Sequence, residues 1–314
     1  LKHLERMCAK NILSVIQRGE GMQLLFLIMF MASSTMANTQ KDILQLHQKI
    51  SAVLDTVQGT FAVAFKDLQT GQTLYINEHE NFHAASTMKT PVMVEVFKRV
   101  KERKFSLDDS IEVRNSFRSI IDGSEYSLEL SDDSDDGLYH YIGKKESIRN
   151  LVFKMITVSS NLATNLLIEK VGADNVMETM KKTGLHEIQV LRGVEDGKAF
   201  QAGKNNTVTA WDLALLFERI AKKQLVSPSA CDSMINILLN QQFNTMIPAK
   251  LPSGVKIAHK TGSITNVQHD SGIIYLPDGR TYVLVILSKN LRSNSEGIEV
   301  IAELSKIIYE FVVG

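Results

Sequence analysis

Residues 77–99, NEHENFHAASTMKTPVMVEVFKR, carry two chemistries that exclude each other. His79-Glu80-Asn81-Phe82-His83 spells the H-E-x-x-H of a zinc peptidase, while Ser86-Thr87-Met88-Lys89 spells the S-x-x-K of a serine acyl-transfer enzyme. A zinc site of the first kind needs both histidines on one face of a continuous helix, so that i and i+4 converge on the metal. Such a helix, running from His79 onward, would hold Pro91 deep in its interior at a cost of roughly 3 kcal/mol. The same proline suits a helix that starts near Ser86, because proline is tolerated in a first turn. That places Ser86 at the positive end of the helix dipole, with Lys89 on the same face. A serine hydroxyl is a poor nucleophile until a neighbour takes its proton, and a lysine can do so only when its amine is partly neutral. Burial and a second nearby cation would lower its pKa accordingly. The zinc peptidase using His79 and His83 stays as an alternative.

Outward from this stretch the pattern alternates between periods. Upstream, TFAVAFKD and TLYIN flank the turn LQTGQ; far downstream, SGIIYL and TYVLVILS flank PDGR, and GVKIAHK (254–260) supplies a further strand. Helical periodicity marks residues 43–57 and 297–313 at the two ends, and most of the chain from 86 to 245. A sheet whose strands come from both ends must be assembled around what lies between. The expected fold is α/β (α+β): an antiparallel five-stranded sheet with terminal helices packed on it, plus an inserted all-helical domain. The boundaries are 38–85 and 246–314 for the sheet part and 86–245 for the insertion, with a cleft between them as the expected site.

The 314 residues are 44% hydrophobic and 22% charged, enough for a substantial core. Lys plus Arg and Asp plus Glu number 35 each and are dispersed, which argues against nucleic acid or an anionic membrane as partner. A small-molecule or peptide substrate and a monomer are expected. Met22–Ala37, MQLLFLIMFMASSTMA, reads as a signal-peptide core cleaved after Ala37, so residues 1–37 combine a signal peptide with an over-extended start at which Met22 is the initiator. Export to the periplasm or beyond the cell follows, with no stable membrane span after processing. Of the two cysteines, Cys8 precedes the cleavage point and Cys231 remains alone, so no internal disulfide is expected.

S-x-x-K occurs a second time, as Ser253-Gly-Val-Lys256, but at a turn entering a strand, where i and i+3 point to opposite faces. K-T-G also occurs twice. Lys182-Thr183-Gly184 closes a helix with glycine as its stop, whereas Lys260-Thr261-Gly262 ends the strand VKIAHK. Between them Ser159-Ser160-Asn161 stands at the first turn of the helix LATNLLIEKV, where a serine is by default an N-cap.

Taken in order, Ser86-x-x-Lys89, Ser159-x-Asn161 and Lys260-Thr261-Gly262 resemble the motifs of class A β-lactamases and penicillin-binding proteins, over nearly the whole chain after Ala37. The resemblance implies a serine hydrolase acting on cyclic amides, with a β-lactam or cell-wall peptide as substrate and no cofactor or metal. Ser86 would attack the carbonyl with Lys89 in the proton path, and Ser159 would protonate the departing nitrogen. Asn161 would hold a substrate amide and position Lys89. Lys260 would depress Lys89 and, with Thr261, receive the substrate carboxylate; beyond Gly262, Ser263 would join Ser86 in an oxyanion hole of backbone N–H groups. A penicillin-binding or D,D-peptidase-like protein that deacylates slowly is the other reading of the same motifs.

Two features depart from that pattern. Ser160 stands where the family usually has Asp, and the Glu-x-x-Leu-Asn string that carries its deacylating glutamate is absent. The corresponding stretch, LRGVEDGKAFQAGKNNTVTAWDL, offers Glu195 and Asp196, of which Glu195, three residues after Arg192, is the expected activator of water. The acidic run Asp132-Asp133-Ser134-Asp135-Asp136-Gly137 begins like a calcium loop but has Gly143 at the twelfth position, and reads instead as a solvated loop at the cleft rim. Trp211 and Cys231 read as helix-packing residues, and His259 and His269 receive no role.

Overall fold

The computed structural model describes residues 42–314. The proposed signal peptide and Cys8 lie outside the described residues. Residues 50–314 form one densely contacting unit; of residues 1–49, the described part is helical and belongs to helix α1, which spans 42–54.

After α1 the chain enters strands β1 (Thr60–Asp67), β2 (Thr73–Ile76) and the two-residue β3 (Phe82–His83). A 3-10 turn, Ala85–Met88, leads directly into helix α2 (Lys89–Lys101). The short strands β4 (Ser110–Glu112), β5 (Phe117–Arg118), β6 (Glu125–Tyr126) and β7 (Lys145–Ser147) pair as β4 with β7 and β5 with β6. Helices α3 (Ile148–Thr157), α4 (Asn161–Val171), α5 (Ala173–Lys182) and α6 (Gly197–Gln201) follow, then strand β8 (Thr207–Val208) and helices α7 (Ala210–Ala221) and α8 (Pro228–Leu238). The chain closes with β9 (Lys256–Ile264), β10 (Val267–Tyr275), β11 (Thr281–Lys289) and helix α9 (Asn294–Val313).

The main sheet is antiparallel throughout in the order β2-β1-β11-β10-β9. Both hairpins lie where the turn residues put them. Asp67 Oδ1 accepts from the N–H groups of Gln69 and Thr70, and Asp278 Oδ1 from that of Arg280. Strands β1 and β11 are flanked on both sides and buried on both faces, which explains their unbroken apolar runs. Helix α7 packs on β1, β10 and β11, and α9 on β10 and β11.

Helix α2 is buried from Lys89 through Phe97, around its whole circumference, and contacts α3, α4, α5 and α8. Over these residues the helix has no solvent face, and it serves as the axis of the helical part. Pro91 sits at its third position, where no intrahelical N–H is lost.

Two strand boundaries differ from expectation. Lys260-Thr261-Gly262 lies inside β9, not at its end, and β10 starts at Val267, ahead of Ser271. The residues that concealed the longer β10 are polar yet buried: Gln268, His269 and Asp270 are each at most 2% exposed. They satisfy one another and their surroundings internally, so the usual apolar signature is missing.

Candidate active site

Three local devices bring the site together. The β3–β8 pair, Phe82 opposite Val208, fixes the entry to the Ser86 turn beside residue 206, and the Ala84 N–H donates to the Asn206 carbonyl at 2.9 Å. The turn itself follows Ala85, whose φ of 45° lies in the left-handed region that few non-glycine residues occupy. Finally, β9 runs close alongside: a Cβ at Gly262 would stand 3.2 Å from the Ser86 backbone nitrogen, so any other residue would press the turn back by a few tenths of an ångström.

Beneath the turn lie two buried lysines. Lys89 Nζ donates to the Ser159 carbonyl at 2.7 Å and to Asn161 Oδ1 at 2.8 Å, and stands 3.2 Å from Ser159 Oγ. The three contacts match the three hydrogens of an ammonium; in the neutral amine two of them remain donations and the third position is the lone pair, which can accept a proton. Burial lowers the Lys89 pKa to about 7, against the opposing influence of Asp133 and Glu195. Lys260 Nζ donates to Ser159 Oγ at 3.1 Å and to the Thr261 carbonyl at 2.9 Å. Burial and the neighbouring Lys89 push its pKa well down, with Asp270 in partial opposition. Ser159 Oγ therefore bridges the two amines. Ser159 itself has a φ of 58°, which turns its hydroxyl and carbonyl to the same lysine.

Above these groups opens a cleft of about 360 Å³ lined by Ser86, Asn161, Glu195 and Ser263 among others. Lys89 and Lys260 are fully buried below it, and Thr261 is nearly so. Asn161 is held at both ends of its amide, its Nδ2 donating to the Asp132 carbonyl at 2.9 Å. Ser263 Oγ accepts from Gln268 Nε2 at 2.7 Å. Of the nine residues singled out in the sequence, Ser86, Asn161 and Ser263 line this cleft, and Lys89, Ser159, Lys260, Thr261 and Gly262 lie behind it or against the Ser86 turn. The ninth, Glu195, lines the cleft from the opposite wall.

That wall is the 191–206 loop. Its ends are closed by Asn206, which accepts from the N–H groups of Leu191 and Arg192 and donates to the Arg192 carbonyl. Arg192 adds donations to the carbonyls of Gly193 and Lys204. Of the two carboxylates the sequence offered here, Asp196 is consumed: it accepts from Ser119 Oγ, Ile120 N and Ala199 N, the last as the N-cap of α6. Glu195 is exposed, has a φ of 60° and finds no hydrogen-bond partner among the described residues.

Sequence reasoning missed two residues. Asn165, buried on α4, reads both backbone groups of Val194, accepting from its N–H at 2.7 Å and donating to its carbonyl at 3.0 Å. A Cβ at Gly193 would stand 2.5 Å from Asn165 Oδ1, so glycine is what lets the loop reach this clamp. Asp133 accepts from the first two N–H groups of α4, those of Asn161 and Leu162, at 2.9 and 2.8 Å. Asn165 lies one helical turn beyond Asn161, a spacing that was available as a signal. Asp133 was hidden in a run of like residues.

Several readings are corrected. The segment around His79 and His83 forms no helix. His79 pairs with Glu187 at 2.9 Å and stacks on Trp211, while His83 sits on β3 and takes part in the Ser86 turn, so the two do not converge as zinc ligands. The acidic run is more than a solvated loop, since Asp135 is buried against Lys154 and Asp133 accepts from the first N–H groups of α4. Ser160 caps α4 through Ala163 N. His259 and His269 are buried in the sheet, where His259 pairs with Asp270, and His269 Nε2 donates to the His83 carbonyl. Of the duplicate motifs, Gly184 is the left-handed stop of α5, with φ 75°, and Ser253 lies in the turn before β9.

A profile of the β-lactamase enzyme family matches residues 45–312. The chain belongs to the β-lactamase enzyme family. Its relatives include the β-lactamase VEB-1 of Pseudomonas aeruginosa, 23% identical over 300 residues that cover 92% of this chain and 96% of that protein. A β-lactamase of Bacteroides uniformis is 22% identical over 299 residues, covering 90% and 96%. Among solved structures, the β-lactamase of Sphaerobacter thermophilus superimposes with a TM-score of 0.73 at 27% identity, covering 84% of this chain and 95% of the other. PBP-A, also solved as a leucine-to-glutamate mutant in an acyl-enzyme complex with penicillin G, superimposes at 0.72 with 28% identity and coverage of 85% and 95%.

Proposed function

We propose that this β-lactamase family member opens the β-lactam amide through an acyl-enzyme on Ser86. The observation that carries the reading is the Ser159 hydroxyl bridging Lys89 Nζ at 3.2 Å and Lys260 Nζ at 3.1 Å beneath the cleft that holds Ser86. Neutral Lys89 takes the Ser86 proton as Oγ bonds to the lactam carbonyl carbon. The charge on the carbonyl oxygen is met by the backbone N–H groups of Ser86 and Ser263, each such donor being worth about 3 kcal/mol of barrier. The C–N bond then breaks, and the departing nitrogen receives its proton from Ser159, which is resupplied by Lys89. Lys260 and Thr261 receive the substrate carboxylate, and Asn161 a side-chain amide. Glu195 removes a proton from the water that attacks the ester, and Ser86 Oγ leaves with a proton returned.

We divide the molecule for this purpose into the sheet, which brings Lys260 to Ser263, and the insertion 86–245, which brings the rest. Export fits the apolar stretch Met22–Ala37, outside the described residues, and among the described residues no helix is long and apolar enough to cross a membrane.

Incubation with benzylpenicillin, followed by intact mass and product assay, tests the reading. Native protein is expected to show an adduct and ring-opened product, and Ser86→Ala neither; an adduct on Ser86→Ala overturns it. One observation favours a second reading, in which the protein acylates and turns over slowly, as a penicillin-binding or D,D-peptidase-like protein. Asn165 clamps Val194, not Glu195, at the cleft wall, leaving the carboxylate unheld. A stable adduct without product would select it.

A further inference from the structure

His83 lies three residues before Ser86 and is absorbed by neither chemistry above, yet it lines the same cleft. Its Nδ1 stands 3.1 Å from the Ala85 N–H, which must donate to it, so Nδ1 carries a lone pair and the ring proton is on Nε2. Ala85 is the residue forced to a φ of 45° to start the Ser86 turn. Conformations of this kind are strained and persist only where the surroundings over-determine them. The side chain closes a local loop onto the backbone two residues on, in the manner of an Asx turn. On the other side, the His83 carbonyl accepts from buried His269 Nε2 at 2.8 Å, so the residue is anchored from both ends.

We propose that His83 is a positioning residue for acylation: its neutral ring holds the strained Ala85 peptide and so aims the Ser86 turn, and protonation of the ring releases it. Protonation replaces the Nδ1 lone pair with a hydrogen facing the Ala85 N–H, turning an attraction into a clash. The groups facing the ring are consistent with a neutral state in the folded protein. Burial and the Arg192 guanidinium both disfavour its charge, buried His269 is held neutral by desolvation, and Phe200 packs at 6.4 Å. Glu195 and Asp196 line the same cleft, Asp196 already engaged with Ser119, Ile120 and Ala199.

The proposal rests on Ser86 acylation, and the test separates the two. Single-turnover acylation by benzylpenicillin is measured from pH 5 to 8 for native protein, His83→Ala and His83→Asn, with Tm for each and long-range proton–nitrogen correlation spectra of the native histidines. Asparagine supplies an acceptor at the Nδ1 position and does not titrate. His83→Ala is expected to acylate roughly tenfold more slowly at pH 7, the effect of losing one net hydrogen bond, and His83→Asn to recover to within about threefold. Below the native His83 pKa the acylation rate of native protein falls more steeply with acid than that of His83→Asn, which keeps only the Lys89 limb. The spectra are expected to show His83 as the Nε2–H tautomer at pH 7. Equal rates in native protein and His83→Ala, no recovery in a folded His83→Asn, or an Nδ1–H tautomer would each overturn the proposal while leaving acylation standing. No adduct on native protein would overturn the acylation reading and this one with it.

Discussion

The two walls of the cleft are built on different physical terms. On one, Lys89, Ser159 and Lys260 are buried, joined by hydrogen bonds of 2.7–3.2 Å, and fixed to a helix buried on all sides and to the edge of a five-stranded sheet. On the other, Glu195 is exposed on a loop and its carboxylate holds nothing among the described residues. The first wall is preorganised to form an acyl-enzyme, because its dipoles and proton acceptors need no rearrangement when charge develops. The second holds the backbone of its neighbour firmly and leaves the carboxylate free. On the proposed reading, acylation rests on rigid elements and hydrolysis on a loop.

This contrast can be broken most directly at Lys89. Lys89→Gln removes the proton acceptor and is expected to slow acylation by about 10³-fold, within the range that general base catalysis supplies; stopped-flow acylation near the native rate would mean that another group accepts the Ser86 proton. The same wall sets the pH response. Lys89 accepts a proton only when neutral, and its pKa is lowered to about 7, so acylation should rise as pH passes upward through about 7 and level off above it. A rate that is flat from pH 5 to 8 would break the assignment.

The opposite wall is tested at Glu195. Glu195→Gln should leave the acylation rate intact and slow deacylation by about 10²-fold, trapping the adduct in intact mass spectra. Unchanged deacylation would shift the comparison further, making the loop wall a passive lid. The smallest effect is expected at Asn165. Asn165→Ala frees both backbone groups of Val194, so deacylation should drop by about tenfold while acylation changes little, since the cost of one or two lost hydrogen bonds falls on the loop alone. Equal losses in both steps would show that the two walls are coupled through α4, which carries Asn161 as well as Asn165.

Much of the first wall was legible in advance, for identifiable reasons. Pro91 marked where α2 could begin and so chose between the two neighbouring motifs. The turn residues of Leu68–Gln72 and Pro277–Arg280 marked both hairpins. The two copies of S-x-x-K and of K-T-G were separable because a helix end and a strand present i and i+3 differently. The second wall was harder to read. Glu195 and Asp196 are adjacent carboxylates, and only the contacts of Ser119, Ile120 and Ala199 reveal that one of them is spent on a helix cap. β10 was read short because His269 and Asp270 look like loop residues until their buried partners are known.

By itself the sequence determined the order of the elements, the serine chemistry and the family's motifs, since each depends on local periodicity, on proline and glycine geometry, or on spacing within a few residues. Only the tertiary structure decided which polar groups pair across the fold. It set Ser159 between two lysines drawn from opposite ends of the chain, hung the loop on Asn165, and gave His83 a backbone partner in place of a metal. Those outcomes depend on distances between residues far apart in sequence, and burial decides which charged or polar groups must find partners there.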